Sequence, residues 1–208
     1  MVKPSLWMEH FAGVFNKMAS NYENLKTICL SRRSVREFAQ KNVSAEDIEK
    51  IKTIAYTSPY ASNRKNWELV VVTDNMQIGN IVDLVGKSIN DLGMKVREDL
   101  REGFSQYAAH FTEFGTAPAL IIPTFRISPG LSVMLNDPKE NFVRWERDNY
   151  VKSISCVAML VLLAVESLGL VGCYMTGPLL AEKEIGDMIN IKKGRNIGAM
   201  IPIGYRQW

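Results

Sequence analysis

A long apolar helix near the carboxyl end constrains this chain more than any other feature. Residues 149–168 have helical spacing, their apolar run Cys156–Val165 is ten residues long, and Gly169 follows as a plausible C-cap. A helix that is apolar nearly all round is usually buried at the centre of a fold. Crossing a bilayer takes roughly 20 apolar residues. The sequence therefore predicts a core helix and no membrane span.

The remaining segments mostly alternate between helix and strand patterns. Ser44 and Asp47 form a capping-box signal for a helix that Pro59 stops. The other predicted helices are 4–18, 22–31, 76–92, 94–114 and 181–190, and the four predicted strands are 67–73, 118–125, 170–175 and 197–203. This alternation predicts an α/β sandwich around one central sheet, in a single domain spanning residues 1–208 with an extra N-terminal helix at about 4–18.

Composition excludes several classes of function. The 208 residues are 47% hydrophobic and 23% charged, with a net charge of +3, which is too weakly basic to indicate a nucleic-acid partner. Three scattered cysteines predict small buried side chains and no disulfide framework. Two histidines without a metal-binding motif make a His-based metal site improbable. No secretion signal is recognisable, so we expect a cytoplasmic protein.

Three segments are candidates for ligand binding, and each also has a plain structural interpretation. Arg32-Arg33-Ser34-Val35-Arg36 ends a predicted helix, so it is either a solvated basic turn or a phosphate site. Residues 58–67 offer small and amide side chains that could hydrogen-bond a flat ring, or form an ordinary loop. Residues 172–178 follow a strand, where ligands commonly bind, but Gly177-Pro178 equally fits a simple turn.

Motifs for other chemistries are absent from the sequence. There is no GxGxxG fingerprint, no phosphate-binding P-loop and no nucleophile elbow. No acid, base or nucleophile set stands out either, so we name no catalytic side chain. An enzyme of this sequence would rely on a bound cofactor for its chemistry.

Taken in order, these segments resemble the nitroreductase family of FMN enzymes. Arg32-Arg33-Ser34-Val35-Arg36-Glu37-Phe38 matches the family's first motif fully, and Pro59, Ala61, Asn63 and Trp67 match the second. Residues 166–178 fit the third, and Ile201-Pro202-Ile203-Gly204-Tyr205 resembles the last core strand. The resemblance covers about residues 22–206. It implies a three-layer α+β sandwich whose central, mainly antiparallel or mixed sheet of about four strands is flanked by helices.

The resemblance also implies a cofactor, a partner and binding residues. FMN would lie at the interface of a homodimer, with its phosphate and ribityl chain on Arg32, Arg33, Ser34 and Arg36. Met175, Thr176 and Gly177 would lie near the reactive edge of the flavin. Pro59, Tyr60, Ala61 and Asn63 would come from the other subunit. NADH or NADPH would reduce the flavin, which would then reduce a small acceptor such as a nitroaromatic or quinone.

Two departures from the family pattern leave alternatives open. Lys65-Asn66 replaces the usual Gln-Pro, so the Lys65 ammonium either stabilises a reduced flavin or points to solvent. The sequence also ends at Trp208, whereas many relatives continue with a residue that contacts the phosphate and an arm that wraps around the partner subunit. Arg206 is a candidate replacement for that contact. The predicted helix 4–18 either replaces the arm at the interface or packs within its own chain.

The segment 126–145 and the activity itself also remain open. Phe125, Leu131, Met134, Phe142 and Trp145 either form a lid over the flavin or pack the segment down. The leading hypothesis is an NAD(P)H-dependent FMN reductase. Alternatives are a specialised relative, such as a reductive dehalogenase, and a flavin-binding carrier or regulator with little turnover. Neither a nucleic acid nor a membrane is expected as a partner.

Overall fold

The computed structural model describes residues 20–61, 65–128, 130–136 and 139–207. Two compact units are distinguished, and they meet in sequence between Arg32 and Arg33. In the first, residues 20–31 are helical (α1), close to the predicted 22–31. The predicted helix 4–18 lies outside the described residues. All elements that follow belong to the second unit.

The second unit alternates helices and strands, as the sequence predicts. Its helices are α2 (Ala45–Ala55), α3 (Asn75–Gly93), α4 (Arg101–Ala109), α5 (Glu140–Ser167) and α6 (Glu182–Met188). Its strands are β1 (Trp67–Val72), β2 (Ala119–Phe125), β3 (Val171–Gly172), β4 (Asn196–Ile197) and β5 (Ile201–Gly204). Short 3-10 turns cover Glu98–Leu100, Ser132–Met134 and Gly177–Ala181. The predicted helix 94–114 is thus shorter, and the predicted strand 170–175 shrinks to two residues.

The sheet has the order β1-β2-β5-β3, with β4 also paired to β2, and every pair of these strands is antiparallel. Successive β2 residues enter opposite cores, because side chains alternate along a strand. Ala119 and Ile121 face a cluster with α2 and α5, whereas Leu120 and Ile122 face one with α3 and α6. Two helical layers therefore enclose one sheet, which confirms the predicted three-layer α+β sandwich.

The last predicted strand, 197–203, is two strands separated by a bulge. Ile197 pairs with Thr124, and Ile201 pairs with Ile121. Three residues therefore separate the paired positions on one strand and two on the other, which is the signature of a β-bulge. A Cβ at Gly198 would lie 2.7 Å from Ile154 of α5. The sheet thus has five strands where about four were expected.

Helix boundaries follow the local signals where these are strong. Ser44 Oγ accepts the Asp47 N–H at 3.0 Å and donates to Asp47 Oδ2 at 2.8 Å, which confirms Ser44 as the N-cap of α2 and its pairing with Asp47. Gly169 adopts a φ of 72° just beyond α5, which confirms its role at the helix end. The start of α5 was predicted wrongly, because the helix begins at Glu140. Its first turn has no buried face, since even the apolar Phe142 and Val143 are exposed.

The central position of α5 is confirmed, but its burial is one-sided. Nine of its residues are buried, including Val157, Val161 and Val165. Cys156 and Met159 are exposed on the opposite side, Met159 by 50%. The prediction of buried cysteines holds for Cys173 and is wrong for Cys29 and Cys156.

By length and composition alone, α5 is the one helix among the described residues that could cross a membrane. Almost half of its most apolar stretch, 44%, is buried inside the protein. The core helix of a soluble protein has the same properties, so α5 is weak evidence for a membrane span.

Candidate functional site

Residues 34–38 are hydrogen-bonded along the end of the sheet. Ser34 forms a parallel bridge with Gly172, and the Val35 N–H donates to the Gly172 carbonyl at 3.2 Å. Phe38 forms an antiparallel bridge with Arg206. The chain thereby brings the second half of the arginine motif beside Arg206, although the two are far apart in sequence.

Ser34, Arg36 and Arg206 line a cavity of about 550 Å³, together with Glu113 and neighbouring residues. Two guanidinium groups and a hydroxyl suit an oxyanion, since arginine donates paired hydrogen bonds to phosphate. The Arg36 Nε atom is buried and has no hydrogen-bond partner among the described residues. It faces Glu113 Oε2 across 3.7 Å. This donor set fits the phosphate of FMN.

Glu113 links this cavity to His110, which the sequence reading did not single out. Glu113 Oε1 lies 2.7 Å from His110 Nδ1, while its other oxygen faces Arg36. The carboxylate is therefore shared between an imidazole and a guanidinium. The only sequence signal for this pair is that His110 and Glu113 lie three residues apart, directly after the charged helix α4.

The first two arginines of the motif, Arg32 and Arg33, belong to different units. Arg32 ends the first unit, where its N–H continues the helical pattern by donating to the Ile28 carbonyl at 3.1 Å. Arg33 opens the second unit and is exposed. Their predicted phosphate contacts therefore remain predictions.

Met175–Gly177 leave the sheet beside the bulge. Met175 and Met200 exchange two backbone hydrogen bonds of 2.9 Å, which fixes the start of the turn. Thr176 is exposed. In the described chain, no hydrogen bond from the Thr176 or Gly177 N–H is found. Two adjacent backbone donors are therefore available for a carbonyl or ring nitrogen such as those of a flavin.

The glycines of the 172–178 segment are explained by protein contacts. A Cβ at Gly172 would lie 2.9 Å from the Pro202 carbonyl oxygen of β5. A Cβ at Gly177 would overlap the Phe111 ring at 2.2 Å. Close packing therefore requires a glycine at both positions. Phe111, which was not predicted, covers one side of this turn.

The loop at Pro59–Ala61 is tied to α5. The Ala61 N–H donates to Ser153 Oγ at 3.1 Å, while Pro59 is exposed. The Tyr60 ring packs 6.1 Å from Tyr150, and its hydroxyl is buried without a partner in the described part of the chain. Burial, reinforced by Tyr150, raises the pKa of the Tyr60 phenol. This hydroxyl is therefore a protonated, buried group whose hydrogen bond is not satisfied by the described residues. Asn63 lies outside the described residues.

The two residues that depart from the family pattern have local partners. Lys65 Nζ donates to the Tyr56 carbonyl at the end of α2, 3.0 Å away. A cation at that position is favoured by the helix dipole. The Asn66 amide donates to the Arg126 carbonyl at 2.7 Å. Within one chain, Lys65 and Asn66 therefore shape the loop ahead of β1.

The segment ahead of α5 is held by Glu146. Its buried carboxylate accepts the N–H groups of Gly130 at 2.8 Å, Leu131 at 2.5 Å and Ser132 at 3.2 Å, and also the Ser132 hydroxyl. The bond from the Ser132 hydroxyl, followed by the backbone bonds, lowers the pKa of Glu146 against the opposing effect of burial. The sequence reading missed this residue, whose only signal was one carboxylate preceding the apolar run.

Most proposed lid residues do not pack into the core. Phe125 is buried in β2, but Leu131, Met134, Phe142 and Trp145 are between 39% and 78% exposed. Packing therefore accounts for Phe125 and leaves a role for the other four open. Among the described residues, no group of three His, Cys, Asp or Glu side chains is placed to hold a metal ion.

Comparison with known proteins identifies the family. The family model described as nitroreductase matches residues 29–205, a range that includes every predicted binding residue except Arg206. This chain belongs to the nitroreductase family. Its members are oxidoreductases, and the relatives of this chain include one named for NAD(P)H nitroreductase activity and a deiodinase.

Two curated relatives are similar to this protein along most of the chain. A protein of Archaeoglobus fulgidus named for NADH dehydrogenase/NAD(P)H nitroreductase activity is 26% identical over 88% of this chain and 85% of its own. The iodotyrosine deiodinase of Hydra vulgaris is 25% identical over 84% of this chain. The alignment covers 62% of the deiodinase's length.

Solved structures show the same fold. A BluB-like flavoprotein of Clostridium difficile 630 has a TM-score of 0.79 and 26% identity, over 88% of this chain and 90% of that chain. An iodotyrosine deiodinase bound to FMN and 3-iodo-L-tyrosine has a TM-score of 0.67 at 21% identity, over 88% and 90% of the two chains. At that identity, the second likeness supports the fold alone.

Proposed function

We propose that this protein is an FMN-dependent enzyme that takes hydride from NADH or NADPH and reduces small electron-poor acceptors such as nitroaromatics and quinones. The observation that carries the proposal is the cavity lined by Ser34, Arg36 and Arg206, with the buried Arg36 Nε lacking a hydrogen-bond partner among the described residues. A cytoplasmic location, which the sequence predicts, is part of this proposal.

The protein's own residues position the cofactor in this proposal. Arg36 and Arg206 hold its phosphate, Ser34 adds a hydroxyl, and Arg32 and Arg33 add positive charge. The N–H groups of Thr176 and Gly177 bind the edge of the ring, next to Met175. Bound FMN supplies the two-electron redox chemistry. A nitro group reduced once consumes one NAD(P)H and one proton and yields a nitroso group and water.

We further propose that the enzyme is a homodimer with FMN at the subunit interface. Exposed Met159 and Cys156 on the core helix α5 support this proposal, because apolar surface on a central helix is usually covered. Pro59, Tyr60, Ala61 and Asn63 then approach the flavin of the neighbouring subunit.

Absorption spectroscopy tests the cofactor and the reductant together. The protein is incubated with FMN, desalted, and mixed anaerobically with NADH or NADPH. We expect retained flavin absorbance that bleaches with a nucleotide and returns when a nitroaromatic or quinone is added. Loss of all flavin on desalting would overturn the proposal. Retained flavin that neither nucleotide reduces would favour the carrier or regulator alternative.

Reductive dehalogenation is a second candidate, because the Hydra vulgaris deiodinase is similar over most of this chain. The same FMN-loaded protein, reduced with dithionite and mixed with 3-iodotyrosine, distinguishes this activity. Release of iodide at a rate above that of nitroaromatic reduction would favour the dehalogenase. Nitroaromatic turnover without iodide release favours the reductase.

A further inference from the structure

A second cavity, of about 540 Å³, lies beside the first half of α5 and shares no lining residue with the arginine cavity. Its size is within the range of small-molecule sites. Trp145, Tyr150 and Leu131 provide aromatic and apolar surface, and Asn149 and Lys152 provide polar groups. This combination suits a planar ring with a polar or charged substituent.

Two walls of this cavity are fixed to α5 by hydrogen bonds. Glu146 holds the backbone of Gly130 and Leu131 on one side, and Ser153 Oγ holds the Ala61 N–H on the other. A site whose walls are already ordered binds its ligand with less loss of conformational entropy. Under the proposed function, Ala61 also approaches the flavin of the neighbouring subunit, so the cavity adjoins that flavin.

The two charged groups of the cavity have opposite signs and differ in whether their hydrogen-bonding capacity is already used. Glu146 and Lys152 are its two charged lining residues. The Glu146 carboxylate is occupied by four donors. No carboxylate of the described residues forms an ion pair with Lys152, whose side chain is exposed on the same helix face as Trp145 and Asn149. An anion in the cavity would therefore meet an ammonium group that has no competing ion pair.

We propose that this cavity binds the electron acceptor and that Lys152 makes it prefer aromatic acceptors that carry a carboxylate or another anionic group. The ring lies against Trp145 and Tyr150, and the anion lies at the Lys152 ammonium. The inference rests on the proposed reductase activity, which supplies the reduction itself. To that activity it adds the chemical class of the preferred acceptor.

The test compares two acceptors of similar shape, 4-nitrobenzoate and neutral 4-nitrobenzyl alcohol. We expect Lys152→Gln to raise KM for nitrobenzoate about fivefold relative to the alcohol, with little change in kcat, as for a partly exposed ion pair. Lys87→Gln, which removes an exposed lysine of α3, is the matched control and should change neither ratio. An equal effect of Lys152→Gln on both acceptors, or no effect, would overturn the inference.

Binding without turnover separates this inference from the proposed function. Quenching of tryptophan fluorescence by 4-nitrobenzoate is measured on the FMN-incubated protein, and Trp145→Phe identifies the signal from the cavity. We expect quenching that Lys152→Gln weakens about fivefold, whether or not NAD(P)H reduces the flavin. Equal quenching in wild type and Lys152→Gln would reject the anion preference while leaving the reductase proposal intact.

Discussion

At Arg36, one guanidinium faces two possible anions. The structure shows Glu113 at 3.7 Å from Arg36 Nε, and the proposed cofactor adds a phosphate to the same cavity. A phosphate carries more charge and more acceptor oxygens than a carboxylate, so it is the stronger partner. Glu113 then keeps its contact with His110, 2.7 Å away. Its negative charge repels the phosphate and so weakens FMN binding.

Substitutions at these two residues should therefore change FMN affinity in opposite directions. We expect Arg36→Gln to weaken FMN binding about tenfold or more, because a charge-assisted contact is lost. Glu113→Gln should tighten it about threefold, because a negative charge leaves the cavity. The dissociation constants are measured by titration of flavin fluorescence. Arg97→Gln, at an exposed arginine paired with Asp99, is the control. Equal affinity of wild type and Arg36→Gln would contradict the phosphate site.

Candidate site residues could be predicted best where they are neighbours in the sequence. Ser34 and Arg36 lie within one short motif, so their likeness to a phosphate site could be read directly from the chain. Glu113 and Phe111 could not be assigned in this way, because their importance depends on which side chains the fold brings against them. Lys65 shows the same limit, since its partner is the carbonyl at the end of α2.

Among the elements, the loop before α5 depends on a single side chain. The lowered pKa of Glu146, caused first by the Ser132 hydroxyl, means that the ionised carboxylate stabilises the folded state. This contribution is fully present above the unfolded-state pKa, near 4.5, and is lost as pH falls through the lower folded-state pKa. Acid therefore loosens the loop that forms one wall of the second cavity.

Glu146→Ala should lower the free energy of unfolding by about 2 kcal/mol at pH 7, because it leaves several backbone donors unpaired. The difference from wild type should shrink as pH falls below about 4.5. Urea denaturation over a pH series measures both effects. Glu102→Gln, at an exposed carboxylate of α4, serves as the control. A difference that stays constant between pH 7 and pH 3 would show that the charge of Glu146 does not stabilise the loop.

The ends of helices could be predicted where a capping residue marks them. Ends that depend on packing against other elements could not. The Ser44 cap and Gly169 fixed one end each of α2 and α5. The first turns of α5 and the division of the last strand were missed. In the latter case, Gly198 sits against Ile154 and Met200 pairs with Met175, contacts that no local pattern contains.

For the whole molecule, the exposed side of α5 is the feature that a single chain leaves unexplained. Cys156 and Met159 lie there, opposite the buried Val157 and Val161. In the proposed homodimer this surface is covered by a second copy, which also supplies Tyr60 and Ala61 to the flavin. Assembly and cofactor binding should therefore fail together.

Met159→Arg should convert the dimer to a monomer and lower flavin retention at least tenfold, because a charge is placed in an apolar contact. Light scattering during gel filtration gives the mass, and the absorbance after desalting gives the flavin content. Met76→Arg, on an α3 residue that is 78% exposed, should leave both unchanged. A Met159→Arg protein that stays dimeric would place the interface elsewhere.

The sequence by itself determined the family, the layered α+β sandwich and the contiguous motifs that the resemblance rests on. Helical periodicity, buried strands and turn residues act over short stretches of chain, so they can be read locally. The tertiary structure decided which distant residues meet. It brings Arg206 beside Ser34 and Arg36, and it places the Gly130 N–H within hydrogen-bonding distance of the Glu146 carboxylate. It also packs the Phe111 ring against Gly177, where no larger residue fits. Close packing and the pairing of buried polar groups select these contacts, and both depend on the complete fold.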